Sequence, residues 1–157
     1  MVSQDYEDLF KILNVYKVKY LVVGAHAVTF YSEPRFTKDL DIWIPRALND
    51  VKRVFGTLKA FGVPLRNLTP ENFNDPTMIL QIGVAPVRVD IMMNVPGVSI
   101  ERAWKNRTRA RYGKTPIHIL GLSELIQAKK AAGRPQDKLD LAKLVKVTSR
   151  NVKKRSR

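Results

Sequence analysis

Gly24-Ala25-His26-Ala27 and, a few residues on, Pro34-Arg35-Phe36-Thr37-Lys38-Asp39-Leu40-Asp41-Ile42-Trp43-Ile44 form the stretch whose reading decides the fold. Lys19 to Val23 is a short apolar run that stops at Gly24, the pattern of a buried strand. Ala25 to Tyr31 follows without a polar break and reads as a short helix. Ser32 to Arg35 is a turn, because Pro34 biases the residue before it away from helix. Asp39 to Ile44 alternates, is rich in strand formers and stops at Pro45. Residues two apart on a strand project to the same side, so Asp39 and Asp41 are neighbours. Like charges so placed repel unless a cation sits between them. Hard divalent cations such as Mg²⁺ take this kind of oxygen ligand. Asp90, inside Val87-Arg88-Val89-Asp90-Ile91-Met92, offers a third carboxylate. On an adjoining strand it would complete a set able to hold two metals, the arrangement used for phosphoryl and nucleotidyl transfer. The competing reading is a solvated strand end, although Asp is disfavoured in strands. Trp43 is expected in the core, on the side of the strand opposite the acidic pair.

Outward from this stretch the elements alternate. Leu9, Phe10, Ile12, Leu13 and Tyr16 recur at helical spacing behind acidic first-turn residues, which predicts a helix over Asp5 to Tyr16. Leu48 to Phe61 is helical in pattern and closes near Gly62. Val63 to Asp75 reads as loop. Met78 to Ile82 and Val87 to Met92 read as a strand pair joined through Gly83 and Pro86. Ser99 is the expected cap of a helix through Trp104. Arg109 to Tyr112 and Ile117 to Leu120 read as further strands around Gly113-Lys114. Ser123, as a cap, opens a helix to Ala132. Gly133 ends that helix, and Pro135 suits the first turn of a last one running to about Val147. No repeat or inter-domain linker interrupts residues 1–149, which read as one domain, α/β or α+β around one mixed sheet. Residues 150–157 read as a basic, flexible tail.

A strand ending in Gly, a helix, then Arg-x-Thr-x-Asp-Leu-Asp resembles the nucleotidyltransferase superfamily related to DNA polymerase beta. The likeness is greatest to its small bacterial and archaeal branch, allied to the abortive-infection toxins and the minimal nucleotidyltransferases. The run from Leu125 to Leu141, with Lys129, Gly133-Arg134-Pro135, Asp137 and Asp140, is similar to that branch too. The resemblance covers about residues 20–145. It implies a nucleotidyltransferase fold, a mixed sheet flanked by helices, using Mg²⁺ or Mn²⁺ and a nucleoside triphosphate. It implies that Asp39, Asp41 and Asp90 ligate the metals and that Asp90 helps activate the acceptor hydroxyl. Gly24 would bring backbone amides and a helix N-terminus to the phosphates, and Lys129 would contact phosphate. Arg35 and Thr37 would lie beside the triphosphate or brace the acidic strand. Arg134, Asp137 and Asp140 would shape the pocket or tie the last two helices together. The family usually follows its Gly with a second Gly or a Ser; here Ala25 and His26 stand there, which leaves backbone amides and makes His26 a candidate phosphate contact.

Charge points to the partner. Among 157 residues, Lys and Arg number 28 against 14 Asp and Glu, a net charge of +14, which argues for a polyanion: nucleic acid, a nucleotide phosphate or, in competition, an anionic membrane surface. Arg107, Arg109, Arg111 and Lys114, near Trp104 and Tyr112, are the candidate nucleic-acid contacts, since cations neutralise phosphates and aromatic rings stack on unpaired bases. Given this charge, RNA, for example a tRNA end, is the expected acceptor, with a protein hydroxyl as the alternative. A cognate toxin or antitoxin partner follows from the resemblance alone. The rival from another class is a non-catalytic nucleic-acid-binding protein on the same scaffold. The absence of Cys excludes disulfides, thiolate metal sites and Cys nucleophiles, and two His cannot make a His-rich zinc site. No apolar run approaches the ~18 residues of a membrane span, and the acidic N-terminus lacks a secretory h-region, so a cytoplasmic protein is expected. Gly113-Lys114-Thr115 is not the end of a phosphate-binding P-loop, whose first Gly would fall on Thr108; it reads as a hairpin tip.

Overall fold

Ser3 opens the first helix by accepting a hydrogen bond from the Tyr6 amide, and α1 (Gln4–Val15) buries Tyr6, Leu9, Phe10 and Leu13 at the spacing the sequence predicts. The computed structural model describes residues 3–33, 39–83 and 87–155, with side chains to residue 150. After α1 come β1 (Leu21–Val23), α2 (Gly24–Tyr31), β2 (Asp39–Trp43) and α3 (Leu48–Ala60). A 3-10 turn (Pro70–Asn74) lies in the expected loop, closed by reciprocal bonds between Thr69 and Asn72. It precedes β3 (Ile79–Ile82), β4 (Arg88–Met92), α4 (Ile100–Lys105), β5 (Thr108–Tyr112), β6 (Thr115–Ile119), α5 (Leu122–Ala132) and α6 (Pro135–Arg155).

The six strands make one mixed sheet in the order β3-β4-β2-β1-β6-β5. Pairs β1/β2, β3/β4 and β5/β6 are antiparallel, whereas β2/β4 and β1/β6 are parallel. Leu40, Ile42, Val89 and Ile91 are buried, while the residues alternating with them in β4 stay partly exposed. That period of two is what a half-covered sheet requires. Helix α1 packs on β6 and α3; α2 lies across β1 and β2 and meets α5 and α6.

Three expectations change. Trp43 is in the core, 2% exposed, but on the same side of β2 as the acidic pair, because it stands two residues beyond Asp41. Helix α5 begins on Gly121 without a side-chain cap. The Ser123 cap fails because the helix is already under way there, with the Leu125 amide bonded to the Gly121 carbonyl. Helix α6 also runs past Val147, to Arg155.

Candidate active site

The strand-to-helix corner at Gly24 sets the geometry. Val23 pairs with Asp41 across β1/β2, so the residue after Val23 turns the chain directly beside the acidic strand. Gly24 adopts φ +65°, and a Cβ there would overlap the Asp41 Oδ2. Only glycine meets both demands, a left-handed backbone and no side chain. The first turn of α2 therefore abuts Asp41, and no side chain caps its amides. A helix N-terminus of this kind favours anions.

The parallel register of β2 and β4 supplies the third carboxylate: Asp41 lies opposite Asp90, and Asp39 opposite Arg88. The three acids thus share one face of the sheet. Burial and the charges of Asp90 and Asp39 together push the Asp41 carboxyl up to about 6, against a smaller pull from Lys129 and Arg134. Arg88 reaches both of the other acids. Its Nε and Nη2 donate to the Asp90 carboxylate at 3.1 and 3.2 Å, and its Nε stands 3.8 Å from Asp39 Oδ1. Among the described residues no three His, Asp or Glu side chains are assembled to hold an ion. The donor chemistry nevertheless fits a hard divalent cation: three carboxylates share one sheet face, and burial together with the charges of Asp90 and Asp39 disfavours the charge of Asp41.

Behind Asp41 lies a second charged group. Lys129 Nζ bonds Asp137 at 3.0 Å and Asp140 at 3.2 Å, with only 9% of its side chain exposed. Arg134 also holds Asp137, at 2.7 Å, but leaves 74% of its side chain exposed. Gly133 makes this possible by ending α5 at φ +63°, which lets Pro135 restart the chain as α6. Burial tends to raise the Asp137 carboxyl, but hydrogen bonds from Arg134 and Lys129 and the Lys129 charge prevail and hold it down at about 2.

A family model matches residues 2–156. The chain belongs to that family, described as "Nucleotidyl transferase of unknown function (DUF2204)". The nucleotidyltransferase fold is shown independently by the crystal structure of a "putative nucleotidyltransferase" from Thermotoga maritima. That structure superimposes with a TM-score of 0.60 at 17% identity, covering 93% of this chain and 96% of the other. No curated protein matches the sequence.

The other residues singled out in this nucleotidyltransferase-family sequence fall as follows. Gly24, Ala25 and His26 form the first turn of α2 beside the acids. His26 is half-buried and edge-on to Tyr6, with ring centroids 5.7 Å apart. Burial lowers its pKa against an upward pull from Asp39. Lys129 is tied to α6 carboxylates rather than presented to solvent. Arg35 and Thr37 lie outside the described residues. Arg107, Arg109, Arg111 and Lys114 are separate from the acids, at or beside edge strand β5. Arg88 was not singled out, although its spacing of two from Asp90, on a strand, was the available signal. Among the described residues no helix is long and apolar enough to cross a membrane.

Proposed function

We propose that this chain is a metal-dependent nucleotidyltransferase that moves a nucleoside monophosphate from a triphosphate to a hydroxyl of RNA, with a protein hydroxyl as the alternative acceptor. The observation that supports it most is the packing of Gly24 on Asp41, which sets a helix N-terminus beside three carboxylates on one sheet face. The amides of Ala25 and His26 then receive phosphate oxygens. Arg134, tethered by Asp137 yet exposed, is suited to the outer phosphates, and Arg35 and Thr37 belong to the same task by resemblance. Lys129 positions the α5–α6 corner behind Asp41. Asp39, Asp41 and Asp90 would hold Mg²⁺ or Mn²⁺ once Arg88 releases Asp90; the bound cation supplies charge neutralisation for the triphosphate. Asp90 takes the proton of the acceptor hydroxyl. The acceptor oxygen bonds the α-phosphorus as that phosphorus parts from the bridging oxygen of the β-phosphate, and pyrophosphate leaves. A cytoplasmic role as one half of a toxin–antitoxin pair is compatible with this chemistry.

The test is to incubate the protein with labelled triphosphates, Mg²⁺ and total RNA. Label on RNA that disappears in Asp41→Ala and on chelation supports the enzyme, and label on protein identifies the alternative acceptor. RNA retained without transfer, equally by wild type and Asp41→Ala, removes the catalytic reading and leaves a binding protein on this scaffold.

A further inference from the structure

The hairpin of β5 and β6 is sharply two-sided. Thr115, Ile117 and Ile119 are buried, while Pro116 and His118 alternate with them and face outward. Their cross-strand partners are Arg111 and Arg109, both exposed. Arg109 and Arg111 therefore stand on the same side as Pro116 and His118. A groove of about 460 Å³ opens on that side, lined by Lys17, Lys19, Trp104, Pro116 and His118 among others, with no acidic residue in its wall.

The groove is built rather than incidental. Arg107 lies over the Trp104 ring, 3.9 Å from its centroid, and its Nε donates to His118 Nδ1 at 3.2 Å. That bond makes Nδ1 an acceptor and leaves the proton of the neutral ring on Nε2. His118 in turn sits edge-on to Trp104 at 5.0 Å, and Lys19 Nζ is 6.0 Å from the indole centroid. Lys17 takes a left-handed backbone, φ 55°, rare for a non-glycine residue. A bond from Arg53 to its carbonyl at 3.2 Å accompanies that turn. Planar rings fixed by a guanidinium and ringed by cations match an unpaired base on a phosphate backbone. An acidic peptide would use the cations and leave the rings idle.

We propose that this groove is the site for the single-stranded part of an RNA, with a base against Trp104 and His118 and phosphates along Lys17, Lys19, Arg109 and Arg111. As the anchor for the acceptor strand, the site rests on the reading of the chain as an RNA-directed transferase; as a binding site it stands alone. The experiment titrates the full chain with a short oligouridylate, without metal or triphosphate, and follows tryptophan fluorescence. Trp43 is buried, so a response reports Trp104. Saturable quenching is expected, weakened at least tenfold in Lys17→Glu/Lys19→Glu. Trp104→Ala, followed by filter binding, should weaken binding at least fivefold, since a stacked base contributes ~1–3 kcal/mol, with Trp104→Phe restoring most of it should Ala perturb folding. Equal affinity in Lys17→Glu/Lys19→Glu, equal affinity for a duplex, or polyglutamate competing as well as RNA would overturn the inference. A protein that binds in this way but transfers nothing upholds the groove and removes the catalytic reading. One that transfers nucleotide while the groove variants bind RNA normally does the reverse.

Discussion

Asp41 is a carboxylate in a poor place for a charge. Its pKa of about 6 means the folded protein holds that proton more tightly than the unfolded chain, whose value is the ordinary 3.8. Stability from this group is therefore full below about pH 3.8 and lost as pH rises through 6. In chelated buffer at pH 7, Asp41→Asn should melt a few degrees above wild type, at ~2–4 °C per kcal/mol for a chain of this size, and the gap should close near pH 4. Thermal scans at the two pH values check this; a variant less stable at pH 7 would assign Asp41 a structural bond. Arg88 leads to the complementary expectation. It holds Asp90 in a fork and lies beside Asp39, so it competes with any cation for those oxygens. Arg88→Ala should bind Mn²⁺ several-fold more tightly, read as loss of the free-ion paramagnetic signal, and weaker binding would make Arg88 a support for the ligands instead. The acidic pair was legible because Asp is out of place among Leu, Ile and Trp. Arg88 was not, because a Val-Arg-Val-Asp strand looks like any amphipathic edge until its neighbour is known. The side of Trp43 was decided by period two alone.

At the scale of elements, the corner between α5 and α6 is held by burying a lysine between two acids. Lys129→Met would remove the Lys129 ammonium from Asp137 and Asp140, 1% and 0% exposed, leaving Arg134 on Asp137. Breaking a buried pair from one side costs ~3–5 kcal/mol. The fall in unfolding free energy is measurable by urea titration, and an unchanged midpoint would mean that Arg134 and water suffice. Asp137 adds a pH signature. Its folded pKa, about 2, lies below the unfolded value, so its contribution is present above about pH 4 and lost as pH falls toward 2. Asp137→Asn should therefore be less stable than wild type at neutral pH, with the gap narrowing as pH falls from about 4 toward 2, read by urea titration at the two pH values. The turn residues made this corner readable: Gly133 and Pro135 sit where a helix stop and start belong. Strand pairing was less so. Asp41 opposite Asp90 depends on a register between strands nearly fifty residues apart, and a slip of one residue would send Asp90 to the other face. Nothing local in either strand specifies that choice.

For the whole molecule, exposed Lys and Arg occur on many elements, and two groups of cations bear on function. The acids of the sheet face are ringed by Arg88, Lys129 and Arg134, while Lys17, Lys19, Arg109 and Arg111 stand exposed along the β5–β6 side. Composition revealed the surplus but not its location, because the groove joins the end of α1, the approach to β1 and a hairpin some ninety residues later. That juxtaposition follows from β6 lying against β1, a long-range pairing that no window of sequence contains. The arrangement makes a quantitative claim about salt. Each phosphate neutralised on a single strand contributes a slope of roughly −0.7 in log affinity against log salt, so four engaged cations give about −2.8. Binding of a single-stranded RNA should then fall roughly fiftyfold between ~50 and ~200 mM salt. In Lys17→Glu/Lys19→Glu the slope should be shallower by at least half, while in Lys143→Glu/Lys146→Glu, on the far end of α6, it should stay near the wild-type value. A slope that drops equally in both variants would mean that RNA samples the whole cationic surface, with no preference for the groove.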